Sequence, residues 1–128
     1  MIHYKDLSGS PAAFNADSFI RARQSYGESE PDGAITIRTD KSKFHASSKL
    51  AEICEQFDTA ISLMSLTAPT GLVVWIAKDR LIDVTEALPT LHHPNAKSVL
   101  TLLVKDGPTI IQQVQETVEE VVARFDGA

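Results

Sequence analysis

The sequence predicts an α/β fold in which a mainly antiparallel sheet of four or more strands is covered on one face by about three helices, an open-faced sandwich. Segments with an apolar residue at every second position indicate half-buried strands, and segments with apolar residues at i, i+3 and i+4 indicate amphipathic helices. Both kinds of segment occur along the 128 residues. This length and a hydrophobic content of 43% favour one domain with a single core.

The segment from residue 33 to residue 64 is predicted to fold as a strand, a helix and a second strand. Ile35 and Ile37 alternate with polar residues, as in a half-buried strand. Four apolar residues at helical spacing then predict a helix of about three turns. These residues are Leu50, Ile53, Cys54 and Phe57. Ile61 and Leu63 restore the two-residue period and indicate the second strand.

The first 33 residues are weakly patterned and are expected to form an extension before a main domain at residues 34–126. Asp17 is a candidate N-cap for a short helix with three apolar residues on one side. These residues are Phe19, Ala22 and Tyr26. Residues 27–33 are rich in turn-forming and acidic residues and are expected to be a linker. Such a terminus can dock loosely on the domain or recruit a partner.

Two more strands are predicted between residues 72 and 84. Residues 72–77, LVVWIA, form an apolar run with β-branched and aromatic members that is typical of a buried strand. We expect Trp75 to be fully buried there. Residues 78–80 are expected to close a hairpin onto a strand at residues 81–84.

The remaining residues predict a loop, a helix, a strand and a last helix. Residues 85–95 contain two prolines that prevent a long helix. Residues 96–104 have apolar residues at i, i+3 and i+4, which indicates a short helix. A strand is predicted at residues 109–114, and Thr117 with Glu120 matches a capping box before the final helix. No internal repeat is apparent along the chain.

The composition argues against several classes of function. A formal net charge of −5 opposes binding to nucleic acid or to anionic membranes. The longest apolar run is far shorter than the roughly 18 residues of a membrane span, and no secretion signal is visible. The single cysteine, Cys54, excludes an intrachain disulfide, fits a cytoplasmic location and is expected to be a small buried residue. The sequence contains no motif of nucleotide hydrolases, esterases or dithiol oxidoreductases.

His45 is the candidate for chemistry, because it lies where the first predicted strand gives way to a helix. The backbone N–H groups of Ala46, Ser47 and Ser48 would be orphan donors there, and a helix N-terminus attracts anions. Histidine can carry a phosphoryl group if its imidazole is free to attack and donors hold the phosphoryl oxygens. Lys43 can add a cationic contact. A solvated histidine near a helix start is the alternative explanation.

Two segments carry a resemblance to a known family. FHASSKLAEICEQFDTAISL, residues 44–63, resembles the active-site region of the HPr phosphocarrier family of the bacterial phosphotransferase system, where G-L-H-A-R-P-A precedes an amphipathic helix, a phenylalanine and a strand. NAKSVLTLL, residues 95–103, is similar to the family's A-K-S segment, which carries a regulatory serine at the start of its second helix. Against this family, residues 66–91 form an insertion. An alternative alignment makes LVVWIA the second sheet strand and lengthens the first helix.

The resemblance implies an HPr-like domain that acts as a phosphoryl relay and needs no cofactor of its own. His45 would accept a phosphoryl group from an Enzyme I-like donor and pass it to, or regulate, a downstream protein. The amides of residues 46–48 would bind the phosphate, and Ser98 would be a regulatory phosphorylation site. The family's Arg and Pro are Ser47 and Ser48 here, so the alternative is a degenerate HPr-fold interaction module without phosphotransfer. A third possibility is an unrelated small α/β protein.

Two further groups of residues have simpler explanations. Ser98 can cap the helix predicted at residues 96–104 instead of being modified. His92 and His93 precede a proline in a predicted loop, and without further ligands nearby they are a weak metal signal. No metal site is therefore predicted.

Overall fold

The computed structural model describes residues 1–25, 34–57 and 62–127, which form ten β-strands and two α-helices. The strands are β1 (Ile2–Lys5), β2 (Pro11–Phe14), β3 (Phe19–Gln24), β4 (Ile35–Thr39), β5 (Lys43–Ala46), β6 (Leu63–Thr67), β7 (Val73–Ala77), β8 (Leu81–Glu86), β9 (Ser98–Leu102) and β10 (Ile110–Val114). The helices are α1 (Leu50–Cys54) and α2 (Val118–Phe125), and short 3₁₀-helices (Ala16–Ser18 and Lys78–Arg80) precede β3 and β8. In these ranges neither helix has the length and apolar character needed to cross a membrane.

The strands form three antiparallel sheets, so the predicted α/β sandwich with about three helices on one face is wrong. The sheets have the orders β5-β4-β3-β7-β6, β10-β9-β8 and β1-β2. Residues 96–104 are predicted to form a helix, but they contain β9 instead. Val99, Leu100 and Leu102 are all buried, and a short run that is buried on both faces has no period that separates a strand from a helix.

The chain folds as two copies of one unit, which the sequence does not reveal. Each unit contains a hairpin, a 3₁₀-helix, a three-stranded meander and an α-helix; we name them repeat 1 (β1 to α1) and repeat 2 (β6 to α2). The two meanders pair in the same register, and a β-bulge interrupts both at the same place. The bulge lies between Phe19 and Arg21 in repeat 1 and between Leu81 and Asp83 in repeat 2. This correspondence assigns each residue of one repeat a counterpart in the other.

The hairpin turns of the two repeats are also equivalent. Gly9 and Gly71 occupy the same turn position with φ values of 86° and 92°, where a side chain would be strained. Each glycine donates its N–H to the carbonyl oxygen three residues earlier, that of Asp6 or Ala68, at 2.9 Å. The turns therefore form in the same way although their other residues differ.

Each repeat has its own hydrophobic core, and the two cores have different compositions. The core of repeat 1 is rich in aromatic rings: Tyr4, Phe14, Phe19, Phe44 and Phe57. The core of repeat 2 is aliphatic, with Met64, Leu66, Val74, Ile76, Leu100 and Leu102. Full burial of one such side chain contributes about 1.5–3 kcal/mol, so both cores are substantial sources of stability.

The residues expected as an N-terminal extension contribute β1, β2 and β3, and β3 lies in the middle of the largest sheet. The short helix predicted after Asp17 is wrong. Asn15 caps the 3₁₀-helix by accepting the N–H of Asp17 at 2.9 Å, and Phe19 and Ala22 lie in β3. Tyr26, the linker at residues 27–33 and Ile61 lie outside the described residues.

In the C-terminal half, the strand predicted at residues 72–77 is confirmed as β7, and the one at residues 109–114 is confirmed as β10. The capping box of Thr117 and Glu120 is confirmed at α2. The hairpin at residues 78–80 is wrong, because β3 and β6 occupy both edges of β7 and β8 therefore pairs with β9. β7 and β8, which the family alignment assigned to an insertion, belong to repeat 2. Trp75 is half-buried rather than fully buried.

Candidate functional site at the joint between the repeats

His45 lies within β5 and not at a helix start, so its predicted placement is wrong. α1 begins at Leu50 and has five residues, far fewer than three turns. The two-residue period extends through the histidine, because Phe44 and Ala46 on either side both face the core of repeat 1. The half-buried imidazole has its Nδ1 3.1 Å from Oγ1 of Thr36, the residue opposite on β4. Its role as a phosphoryl acceptor stays a prediction.

Two of the three residues predicted to bind phosphate, Ser47 and Ser48, hold the hairpin of repeat 1 to its meander. Ala46 is fully buried. Ser47 donates its N–H to the carbonyl oxygen of Lys5 and its Oγ–H to that of Asp6, both at 2.9 Å. Oγ of Ser48 accepts the N–H of Lys5 at 2.8 Å. The donors of Ser47 are therefore used inside the fold, and phosphate binding by residues 46–48 stays a prediction.

Repeat 2 makes the same contacts with different side chains. The N–H of Gln115 donates to the carbonyl oxygen of Thr67 at 2.8 Å, and its Nε2 donates to that of Ala68 at 3.2 Å. Oε1 of Glu116 accepts the N–H of Thr67 at 2.8 Å. Because serine, glutamine and glutamate fill the same role, the structural requirement at these positions is a hydrogen bond to the hairpin.

Ser98 is fully buried at the start of β9 and does not cap a helix. Its Oγ–H donates to the carbonyl oxygen of Glu116 at 2.8 Å. A kinase would reach this hydroxyl only if the sheet opened locally. Regulation by phosphorylation of Ser98 stays a prediction, and it would require local opening of the sheet.

The other residues singled out by the sequence have structural contacts. Nδ1 of His92 accepts the N–H of Leu88 at 2.8 Å, and Nδ1 of His93 accepts the N–H of Asn95 at 3.0 Å. Both histidines thus stabilise their loop. Burial raises the pKa of the half-buried Cys54 thiol to about 12, which makes it a poor nucleophile at neutral pH.

One face of β3, β4 and β5 is cationic. Arg21, Arg38 and Lys43 lie directly opposite one another across the three strands, and Arg23 and His45 flank Thr36 in the next row. Like charges in directly opposite positions repel. The three strands therefore place several positively charged side chains on one face.

The repeats are joined by antiparallel pairing of β3 with β7, in which Ala22 lies opposite Trp75. Side chains cross the joint in both directions. Ile20 of repeat 1 is 0% exposed and belongs to the core of repeat 2, whereas Ala77 of repeat 2 is buried in the core of repeat 1. Nη1 of Arg21 donates to Oε1 of Gln112 on β10 at 2.7 Å. We call this pairing the closed joint.

A buried ion pair supports the closed joint. Arg80 is 2% exposed, and its Nη2 donates to Oδ2 of Asp40 and to the carbonyl oxygen of Asp17, both at 2.7 Å. The N–H of Lys105 donates to Oδ1 of Asp40 at 2.9 Å. The hydrogen bond from Arg80 holds the pKa of the Asp40 carboxyl below its ordinary value. The pair links the 3₁₀-helix before β8 to repeat 1.

β8 is the counterpart of β3, yet among the described residues it pairs on one side only, with β9. Ile82, the counterpart of Ile20, is 51% exposed. Asp83 and Glu86 on the same strand are also exposed. A free strand edge presents unpaired N–H and C=O groups, which makes it a template for another strand. We call it the β8 edge.

β2 is the counterpart of β7, and its outer edge is likewise unpaired within the described residues. A cleft of about 660 Å³ lies beside it. Its lining includes Tyr4, Phe14, Phe44, Asp17, Asp40, Lys41 and Lys105. Met1 at the cleft is 71% exposed, whereas its counterpart Leu63 packs on the core of repeat 1. We call this surface the β2 edge.

Sequence reasoning missed the duplication, although two weak signals are present. Gly9 and Gly71 mark the two hairpin turns, and Asp17 and Asp79 lie in the two 3₁₀-helices. The two pairs have the same separation along the sequence. The cores conceal the relationship, because Tyr4 and Phe14 of repeat 1 correspond to Leu66 and Ile76 of repeat 2.

Comparisons of the chain with protein-family models, with curated proteins and with solved structures found no match.

Proposed function

We propose that the chain is a protein-interaction module that binds an extended segment of a partner by strand addition at the β8 edge. The observation that carries the proposal is the exposure of Ile82 at the position where repeat 1 buries Ile20 completely. Burying an isoleucine contributes about 1.5–3 kcal/mol. A strand that covers Ile82 also gains main-chain hydrogen bonds along β8.

The charges of β8 restrict which segments can bind. Asp83 and Glu86 are exposed on this strand, so a partner with basic residues in or beside the bound segment is favoured over an acidic one. Charged side chains on an edge strand also oppose unspecific pairing. The β8 edge thus combines an apolar anchor with charged residues that limit its partners.

The proposal is tested with a labelled peptide that has the sequence of residues 72–78, because these residues contain β7, the strand that pairs with β3 within the chain. Fluorescence anisotropy should show saturable binding to the intact protein. Ile82→Asp should weaken it at least about tenfold, which corresponds to about 1.4 kcal/mol. Leu91→Asp is the matched control, because Leu91 is 72% exposed and lies outside β8.

Binding by the Leu91→Asp variant should equal that of the unmodified protein. Absence of binding, or equal binding by the Ile82→Asp variant, would contradict strand addition at the β8 edge. A peptide of the same sequence with N-methylated backbone amides should bind more weakly, since it lacks donors for the ladder.

Phosphoryl transfer through His45 is a second candidate function, and the cationic face favours it. Lys43 lies on the same face two residues before His45, and Arg38 lies opposite Lys43. Positive charge near the imidazole would stabilise a phosphoryl group. Incubation with phosphoenolpyruvate and an Enzyme I-like donor should then add about 80 Da, and His45→Ala should abolish the gain. An unchanged mass would remove this candidate.

A further inference from the structure

We infer that the strand bound at the β8 edge is β2 of a second copy of this chain, an inference that rests on the function proposed above. Within one chain, β3 of repeat 1 pairs with β7 of repeat 2. β8 is the counterpart of β3, and β2 is the counterpart of β7. The β8 edge and the β2 edge, both unpaired within the described residues, are thus the two halves of a second joint of the same kind.

The closed joint fixes the register of the second one. Ala22 lies opposite Trp75 in the closed joint, and their counterparts are Val84 and Ala13. Val84 of one copy therefore lies opposite Ala13 of the next, with the strands antiparallel. Pro11 has no N–H to donate, but it falls outside the three residue pairs of this register, so it does not interrupt the ladder.

The cleft at the β2 edge receives the apolar side chain that the β8 edge exposes. Ile20 enters the core of repeat 2 at the closed joint. The cleft of about 660 Å³ occupies the corresponding place in repeat 1, with Phe14 and Phe44 in its lining. Ile82 of the second copy enters this cleft. Two surfaces that are separately exposed thereby cover each other.

Charge supports the same arrangement. In the closed joint, Nη1 of Arg21 donates to the carbonyl oxygen of Ile111 at 3.1 Å. The counterpart of Arg21 is Asp83, and the residue that corresponds to Ile111 is Lys43, so opposite charges approach across the second joint.

The association is head-to-tail and reversible. Each chain offers one β8 edge and one β2 edge, which are different surfaces, so contacts of this kind generate rings or open chains instead of a symmetric dimer. The second joint is weaker than the closed joint, because the counterparts of Arg80 and Asp40 are Ser18 and Leu103, which form no ion pair.

Disulfide crosslinking tests the register. Directly opposite residues of antiparallel strands have Cα atoms about 4.5–5.5 Å apart, within the range that a disulfide spans. The Val84→Cys and Ala13→Cys proteins are mixed and oxidised mildly, with Cys54 left in place because its thiol has a pKa of about 12. Val84→Cys mixed with Leu91→Cys is the control for random collision.

The matched pair should give at least about ten times more mixed disulfide than the control pair, and adding Ile82→Asp to the Val84→Cys chain should remove the excess. Sedimentation of the unmodified protein should show association that rises with concentration. Equal crosslinking of the matched and control pairs would overturn the head-to-tail joint. If the residue 72–78 peptide still binds in that case, strand addition stands and the partner is another protein; if the peptide also fails, both proposals fall.

Discussion

The two repeats share one backbone plan but differ in what fills it and in what covers its edge. Repeat 1 packs the aromatic rings of Tyr4 and Phe14 where repeat 2 packs the aliphatic Leu66 and Ile76, yet the strand registers and the β-bulge coincide. The same bulge delivers Ile20 into a core and leaves Ile82 exposed. The hydrophobic pattern therefore determines the repeated fold, whereas the proposed function depends on which edge stays open.

The largest expected change in unfolding free energy comes from breaking the ion pair between Arg80 and Asp40, which the closed joint contains and the second joint lacks. Asp40→Asn leaves the guanidinium of Arg80 buried without its partner charge, which costs about 3–5 kcal/mol of unfolding free energy. Urea denaturation measures the loss. Asp106→Asn is the matched control, because Asp106 is exposed in a turn with φ of 60°, which asparagine tolerates. A change of less than about 1 kcal/mol in the Asp40→Asn variant would mean that the pair does not support the joint.

The same pair predicts an acid dependence. The pKa of Asp40 is lowered in the folded protein, chiefly by the hydrogen bond from Arg80. Its contribution to stability is thus complete above the unfolded value of about 3.9 and is lost as pH falls through the lower folded value. The difference in unfolding free energy between the unmodified protein and Asp40→Asn should be constant from pH 7 to about pH 5 and shrink below about pH 4. A difference that persists unchanged at the lowest pH would contradict this assignment.

The next effect compares the two counterpart isoleucines directly. Ile20→Ala should cost about 2–5 kcal/mol, because it creates a cavity in the core of repeat 2. Ile82→Ala in dilute protein should change the unfolding free energy by less than about 0.5 kcal/mol, since that side chain is half exposed. Thermal or urea unfolding of both variants at low concentration checks the contrast. Equal losses would show that Ile82 is covered within the single chain.

A smaller difference in stability is expected from the N-caps of the two helices. Thr117 caps α2 through the N–H of Glu120, whereas its counterpart Lys49 begins α1 with no side-chain cap. Thr117→Ala should cost about 1 kcal/mol, and Lys49→Ser should stabilise the protein by about 0.5–1 kcal/mol. Lys49→Ala serves as the control for removing the lysine. No gain from serine over alanine at position 49 would indicate that α1 is fixed by its packing alone.

The sequence predicts the elements whose signal is local. Ile35 and Ile37 mark β4 by alternation, and Thr117 with Glu120 marks the start of α2 by its hydrogen bonds. β3 defeats the same reasoning, because its bulge places Phe19 and Ala22, three residues apart, in the same core and so breaks the two-residue period.

The joint could not be predicted from local pattern at all. Pairing of Ala22 with Trp75 is set by long-range packing, and the exposure of Ile82 follows from the absence of that packing at the other end. The helix predicted beyond His45 failed for a related reason. Ala46 and Ser47 are committed to the core and to the hairpin before the helix begins, which delays α1 to Leu50.

The central claim is that β3 is paired at all concentrations while the β8 edge is open until another strand covers it. Amide hydrogen exchange tests it most directly when protection is followed in both strands as the protein concentration rises. The amides of β3 should be protected throughout, and those amides of β8 that do not bond to β9 should gain protection with concentration in the unmodified protein but not in Ile82→Asp. Full protection of β8 at the lowest concentration, or exchange that never responds to concentration or to a bound strand, would contradict the account.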